Sequence, residues 1–270
     1  MDFESRAKRL LEKNEYNIYD LAELVSLLRC EKGCPWDRVQ THESIKKDLL
    51  EECYEVFEAI DCDSPEMMRE ELGDVLLQVV FHADIERERG SFELDDIADE
   101  VCKKLILRHP HVFGDVRADT AEAVLKNWDA IKKEEKNQET FTDTLKSVPK
   151  VFPSLMRAQK LTKRSSRARA DMDGKDGCIA ALEALEREAA ALRRAVENGE
   201  DNGVGTAMGD LLLACCNMSR VAGIDAEESL SSASERYIER FEAAEAQAKR
   251  QGREMSEIGF DELDVFWRKV

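Results

Sequence analysis

Histidine, proline and tryptophan are scarce in this 270-residue chain, at four, five and three copies. Four histidines are few for a histidine-based metal centre. Few prolines and no alternating Val/Ile/Tyr runs leave little sign of β-sheet. The eight cysteines, Cys30, Cys34, Cys53, Cys62, Cys102, Cys178, Cys215 and Cys216, lack the paired CxxC spacing of a zinc ribbon. Cys30 and Cys34 could form half of a metal site, but no second half has suitable spacing. The cysteines are read as reduced, buried, small apolar residues. No apolar run approaches the roughly 18 residues needed to span a bilayer, and the start, MDFESRAKRLLEKNEYN, has no apolar core of the signal-peptide kind. A cytoplasmic chain with no membrane partner is therefore expected. Basic residues are also in deficit, 40 against 58 acidic, for a formal charge of −18. That balance disfavours a footprint on the phosphate backbone of a nucleic-acid duplex.

What is present is helical patterning. Long charged segments carry apolar residues at three- and four-residue steps, and 43% hydrophobic residues suffice for a core, so the fold class is all-α. A first amphipathic helix is predicted over about Ile18–Cys30, with Leu21, Leu24, Val25 and Leu28 on one face. Gly33, Pro35 and Trp36 then make a loop. Thr41 is the expected N-cap of a helix running to about Ile60. Ser64-Pro65 is a start signal for the next helix, which Gly90 ends. A helix over about Leu94–Arg108 stops before His109-Pro110-His111, and another, capped near Asp119 or Thr120, carries Trp128 and Lys132. Residues 137–153, with Pro149 and Pro153, look like a linker, followed by a basic helix over about Ser154–Arg169.

The chemistry concentrates in EECYEVFEAIDCDSPEMMREELGD, residues 51–74. Residues three apart share a helix face, so Glu52 with Glu55 and Glu71 with Asp74 each present two carboxylates in one direction. Both pairs flank one short helical connection, which makes their helices antiparallel neighbours. Gly73, costing about 1 kcal/mol relative to alanine inside a helix, points to close approach of the neighbouring acidic helix. Oxygen-only ligands favour Mg²⁺, Mn²⁺ or Ca²⁺ over zinc. A di-iron bundle needs Glu-x-x-His on its helices, and no histidine here has a glutamate three residues before it. An EF-hand loop is also absent. Mg²⁺ with a substrate phosphate is the best remaining match. The opposing account is an ordinary solvated face in an acid-rich chain. Lys104 and Arg108, four apart on one helix, and Lys132, four after Trp128, suit phosphates, although surface solvation is the usual fate of such side chains. Trp36 either caps the core or stacks on a base.

The chain also repeats itself. A shift of 136 residues brings Leu72-Gly73-Asp74-Val75-Leu76-Leu77 onto Met208-Gly209-Asp210-Leu211-Leu212-Leu213, Glu52 onto Glu188 and Asp37 onto Asp173. Shifts of 132 and 139 bring Lys104 and Arg108 onto Arg236 and Arg240, and Trp128 onto Trp267. This is the mark of an internal duplication. In the same register Glu51 falls on Arg187, Glu55 on Ala191 and Glu71 on Ala207, so the copy keeps its apolar positions and loses carboxylates. The expected organisation is a catalytic domain over 1–136, a linker over 137–153, and a second domain over 154–270 with a degraded metal motif.

Gly33-Cys34-Pro35-Trp36-Asp37, Gln40-Thr41, the two acidic motifs, Arg108-His109-Pro110-His111-Val112-Phe113 and the Trp128…Lys132 helix together resemble the MazG family over about residues 18–136, the remainder resembling that family's weaker second domain. The resemblance implies an Mg²⁺-dependent nucleoside triphosphate pyrophosphohydrolase that yields a nucleoside monophosphate and pyrophosphate, with nucleotide-pool housecleaning as the expected role. It implies metal ligands Glu52, Glu55, Glu71 and Asp74, with Glu51 close by and Glu51 or Glu52 accepting a proton. Lys104, Arg108 and Lys132 are implied for the phosphates, Trp36 for the base, with Trp128 beside them, and a homodimer whose chains share each site. Arg169-Ala170-Asp171-Met172 departs from the glycine–aromatic–Asp–Trp stretch that often opens the family's second domain. The competing reading is a nucleotide-binding or interaction module with weak or no hydrolysis.

Overall fold

A computed structural model describes residues 2–135, 138–168 and 174–259, and the fold is all-α, with no strand among them. None of the described helices is long and apolar enough to cross a membrane. The chain divides into two compact units, Met1–Asp129 and Ala130–Val270.

The first unit contains α1 (Phe3–Leu11), α2 (Ile18–Arg29), one-turn α3 (Pro35–Arg38), α4 (Lys46–Asp61), α5 (Pro65–Arg89), α6 (Leu94–Arg108), one-turn α7 (Pro110–Phe113) and most of α8 (Ala121–Glu135). α5 is its central element. Ser64 starts it by accepting the Met67 N–H at 3.3 Å, and Gly90, at φ 71°, ends it in the left-handed conformation that glycine adopts without strain. Val80, Phe81 and Ile85 of α5 meet Val25 of α2 and Ile45, with Leu21, Leu76, Leu77 and Leu94 around them. Burying each such side chain stabilises by about 1.5–3 kcal/mol.

Two polar assemblies fasten the chain between α2 and α4 to this core. Arg29, its side chain 3% exposed, pairs with Asp84 at 3.2 Å and Glu88 at 2.8 Å and donates to the carbonyls of Asp37 and Gln40. Its guanidinium also lies 5.1 Å from the centroid of Phe81. Further along, His42 contacts His82 through their Nδ1 atoms at 2.7 Å and Glu86 through Nε2 at 2.5 Å. Glu86 is held near pKa 2, chiefly by His42, with Ser91 and Arg89 assisting.

The second unit holds the end of α8, then α9 (Phe141–Lys146), α10 (Ser154–Ser166), α11 (Gly174–Glu197), α12 (Asp201–Val221), α13 (Ala226–Arg250) and a 3₁₀ turn at Met255–Glu257. Its helix ends follow the sequence repeat. A shift of 136 carries the first residue of α2 (18) onto that of α10 (154), the last of α4 (61) onto that of α11 (197), and the first of α5 (65) onto that of α12 (201). A shift of 132 carries the start of α6 (94) onto that of α13 (226). Apart from Val148, the buried apolar residues described here are small: Ala181, Ala195, Cys216, Ala226, Ala244 and Ala248.

Several local expectations need correction. Thr41 does not cap α4: it closes a turn with Ser44, and the helix starts only after Ile45, whose 2%-exposed side chain belongs to the core. The stretch 137–153 contains α9, capped reciprocally by Thr140 and Asp143, and the buried Val148. α1 and α7 were not anticipated, and Pro35 and Trp36, expected in a loop, lie in one-turn α3, which Pro35 starts. Cys216 is buried, but Cys62 and Cys102 are exposed and the other five are half-buried. Trp267 and residues 169–173 lie outside the described residues.

Candidate metal centre

α4 and α5 pack as an antiparallel hairpin across a short connection in which Asp63 adopts φ 48°, a left-handed conformation that aspartate tolerates better than most residues. The turn sets the register between the two acidic motifs. One carboxylate oxygen each from Glu52, Glu55 and Glu71 lies within 4.8 Å of the others. This is the arrangement that the three-residue spacing anticipates, since it turns Glu52 and Glu55 of one helix toward the partner that carries Glu71.

Asp74 lies outside that group of three, yet it acts on it electrostatically. The Glu52 carboxyl is held above its ordinary pKa, first by burial, then by the charges of Asp74, Glu55, Glu51 and Asp48. Glu71 is raised as well, by burial, by a hydrogen bond with Glu55, and by the charges of Glu55, Glu70 and Asp74. Raised carboxyl pKa values signal uncompensated negative charge. The donor set is all oxygen and hard, so Mg²⁺ or Mn²⁺ fits it. Glu51 is exposed and, with Lys47, Leu50, Tyr54, Glu55 and Glu58, lines an adjoining shallow cleft of about 520 Å³.

The expected glycine contact fails: a Cβ on Gly73 would meet nothing within 4 Å. Close helix approach therefore does not explain Gly73. Gly33, by contrast, is dictated by space, since a Cβ there would stand 2.1 Å from the Leu27 carbonyl oxygen and 2.3 Å from that of Leu28.

Among the cationic candidates, Arg108 is the one with a described aromatic partner. The Arg108 guanidinium lies 5.3 Å from the Trp128 ring centroid, and His109 packs edge-on to the same ring at 4.9 Å. His109 Nδ1 also contacts the Leu105 carbonyl at 2.6 Å, so the His-Pro-His segment makes local hydrogen bonds where α6 stops. Lys104 is exposed one helical turn before Arg108 on α6. Lys132 follows Trp128 by one turn on α8, in the part assigned to the second unit. Trp36, 61% exposed on α3, does not cap the core. In the second hairpin the repeat places Ala191 and Ala207 where Glu55 and Glu71 stand, leaving Glu188 and Asp210.

Sequence reading missed Asp48, which adds to the charge on Glu52, and Arg29. The first is visible one helical turn before Glu52. The second has no local signal, because its ion-pair partners lie 55 and 59 residues away.

The all-α hairpin that gathers three carboxylates is a candidate site for a hard cation, and the chain's relatives say which family carries it. Residues 40–113 match the family model described as the MazG nucleotide pyrophosphohydrolase domain. A Thermotoga maritima protein named nucleoside triphosphate pyrophosphohydrolase/pyrophosphatase MazG is 39% identical over 251 residues, 93% of this chain and 94% of its own. The Escherichia coli K12 nucleoside triphosphate pyrophosphohydrolase is 37% identical over 241 residues, 89% of this chain and 91% of its own. Bacillus subtilis YabN is 37% identical over 247 residues, 92% of this chain and half of its own length. The chain belongs to the MazG family.

Proposed function

We propose that this chain is a nucleoside triphosphate pyrophosphohydrolase, converting an NTP or dNTP and water into the monophosphate and pyrophosphate, with Mg²⁺ or Mn²⁺ at the α4–α5 hairpin. The observation that carries this reading is the convergence of Glu52, Glu55 and Glu71 within 4.8 Å with two of the three carboxyls raised. The names of the Thermotoga and Escherichia relatives support the reaction.

Glu52, Glu55 and Glu71 would hold the cation, and Asp74, whose charge acts on Glu52, would be the fourth carboxylate. When bound, the ion supplies charge neutralisation for a triphosphate of about four negative charges and polarises its phosphoryl oxygens. Glu52 accepts a proton from the attacking water as oxygen adds to the α-phosphorus and the bond to the β-phosphate oxygen breaks. Glu51, on the exposed side of the same turn, is the other residue placed to accept it. Lys104, Arg108 and Lys132 balance charge on the departing pyrophosphate. Trp128 fixes Arg108 by stacking, and Trp36 meets the base.

Residues 1–136 are assigned to catalysis, 137–153 to the connection between domains, and 154–270 to a domain whose metal motif has degraded. A cytoplasmic housecleaning role for nucleotide pools fits this chemistry. A homodimer is supported by α4, which exposes Leu50, Tyr54, Phe57 and Ile60 by 52–57% along one side of an otherwise folded helix. Apolar surface of that extent marks an interaction site.

A panel of NTPs and dNTPs with Mg²⁺, assayed for pyrophosphate, tests the reading. Turnover of at least one nucleotide is expected. Nucleotide binding without pyrophosphate release would replace the enzyme with a binding module.

A further inference from the structure

Arg29 is a buried guanidinium that spends two of its donors on loop carbonyls. Nη1 reaches the Asp37 oxygen at 2.9 Å and the Gln40 oxygen at 3.2 Å, so one nitrogen grips both ends of the turn after Trp36. From the other side, Asp84 and Glu88 of α5 hold the guanidinium. The Arg29 Nε to Asp84 Oδ2 contact is an ion pair whose N–H is not aimed at the oxygen, and neither atom has another hydrogen-bond partner. Arg87 pairs with the second Asp84 oxygen at 2.8 Å. Other contacts hold the loop within itself and to the end of α2: Gly33 N–H bonds to Cys30 O, Cys34 N–H to Leu28 O, Arg38 Nη1 to Glu31 O and Gln40 Nε2 to Trp36 O, while His42 beyond it is held by His82 and Glu86. Arg29 is what ties the Asp37 and Gln40 carbonyls to α5.

We propose that Arg29 is a positioning residue that locks the Trp36 loop to α5 and thereby holds Trp36 for the nucleotide base. The inference rests on the nucleotide-hydrolase reading for the base, while the clamp itself rests on the contacts above. Lysine in place of Arg29 can satisfy Asp84 but cannot reach both carboxylates and both carbonyls from one point charge. The loop then loses its anchor while the buried carboxylate keeps a cation.

The test is Arg29→Lys, with Glu88→Gln as a milder second variant, since Glu88 is 40% exposed and its loss leaves the Arg29–Asp84 pair intact. For Arg29→Lys, KM for the preferred NTP rises about tenfold while kcat stays within about twofold, the pattern of lost uniform binding. Hydrogen exchange at Cys34, Arg38 and Gln40 quickens at least about tenfold, with the α5 amides unchanged. Trp36→Ala, which raises KM alone, adds less than about threefold in the Arg29→Lys background, because both substitutions remove the same contact. Glu88→Gln moves both readouts the same way by about threefold. Unchanged loop exchange in both variants, or full multiplication of the Trp36→Ala effect, overturns the proposal. Should Arg29→Lys not fold, Glu88→Gln decides by the same readouts. If the wild-type protein hydrolyses no NTP, the functional reading fails, and the exchange result alone decides whether the clamp exists.

Discussion

Two glycines of the first unit are expected to respond in opposite directions to the same substitution. Gly33→Ala puts a methyl group 2.1 Å from the Leu27 oxygen and 2.3 Å from the Leu28 oxygen, both backbone atoms at the end of α2. The chain must open there by roughly 1 Å to restore van der Waals contact. That movement disrupts the hydrogen bonds from Gly33 N–H to Cys30 O at 2.9 Å and from Cys34 N–H to Leu28 O at 2.7 Å. Two hydrogen bonds at about 1 kcal/mol each, with about 1–3 kcal/mol for overpacking, give a loss of roughly 3–5 kcal/mol. For a chain of this size the melting temperature falls by about 10 °C. Gly73→Ala meets nothing and gains about 1 kcal/mol of helix propensity, raising it by about 3 °C. Thermal unfolding followed by far-UV circular dichroism reads both. A Gly33→Ala protein within 1 kcal/mol of wild type, or shifts of the same sign at the two positions, would refute the packing account.

Three further outcomes follow from the site. Glu52 and Glu71 have folded pKa values above 4.5, so the stability they contribute is present below 4.5 and is lost as pH rises through the raised values. Glu71→Gln should accordingly raise the melting temperature of the metal-free protein at pH 7 and abolish its further rise with Mg²⁺; a variant less stable than wild type without metal would contradict this. Glu86 behaves oppositely: its contribution is present above 4.5 and is lost as pH falls toward about 2, and His42→Ala should erase part of that acid dependence in pH-resolved unfolding. In the second unit, Glu188→Ala with Asp210→Ala should leave pyrophosphate release within about twofold, whereas a comparable change at Glu52 should lower it on the order of 10²-fold.

Much of the hairpin was legible because its signals are local. Ser64-Pro65 and Gly90 mark the ends of α5, and three-residue spacing alone aligns Glu52 with Glu55. The repeat was legible for the same reason, since apolar positions kept their register while Glu55 and Glu71 gave way to alanine. What escaped depends on distant partners. Ile45 is drawn into a core built by α2 and α5, which delays the start of α4 past Thr41. α9 is six residues long and lies just before the prolines that suggested a linker. Arg29 looks like any helix-terminal arginine until Asp84 and Glu88 are brought to it. Gly73 was misread because a helix glycine suggests a neighbour, and this chain provides none.

The central claim is that the carboxylates of α4 and α5 drive cleavage between the α- and β-phosphates. Glu55→Ala removes the residue that contacts Glu71 and contributes one of the three converging oxygens. The direct measurement compares it with wild type in Mg²⁺, quantifying all phosphorus-containing products from the best NTP. Wild type is expected to give monophosphate and pyrophosphate in equal amounts, with the rate of Glu55→Ala lower by on the order of 10²-fold or more. Diphosphate and orthophosphate as the wild-type products, or a Glu55→Ala enzyme at full rate, would contradict the account.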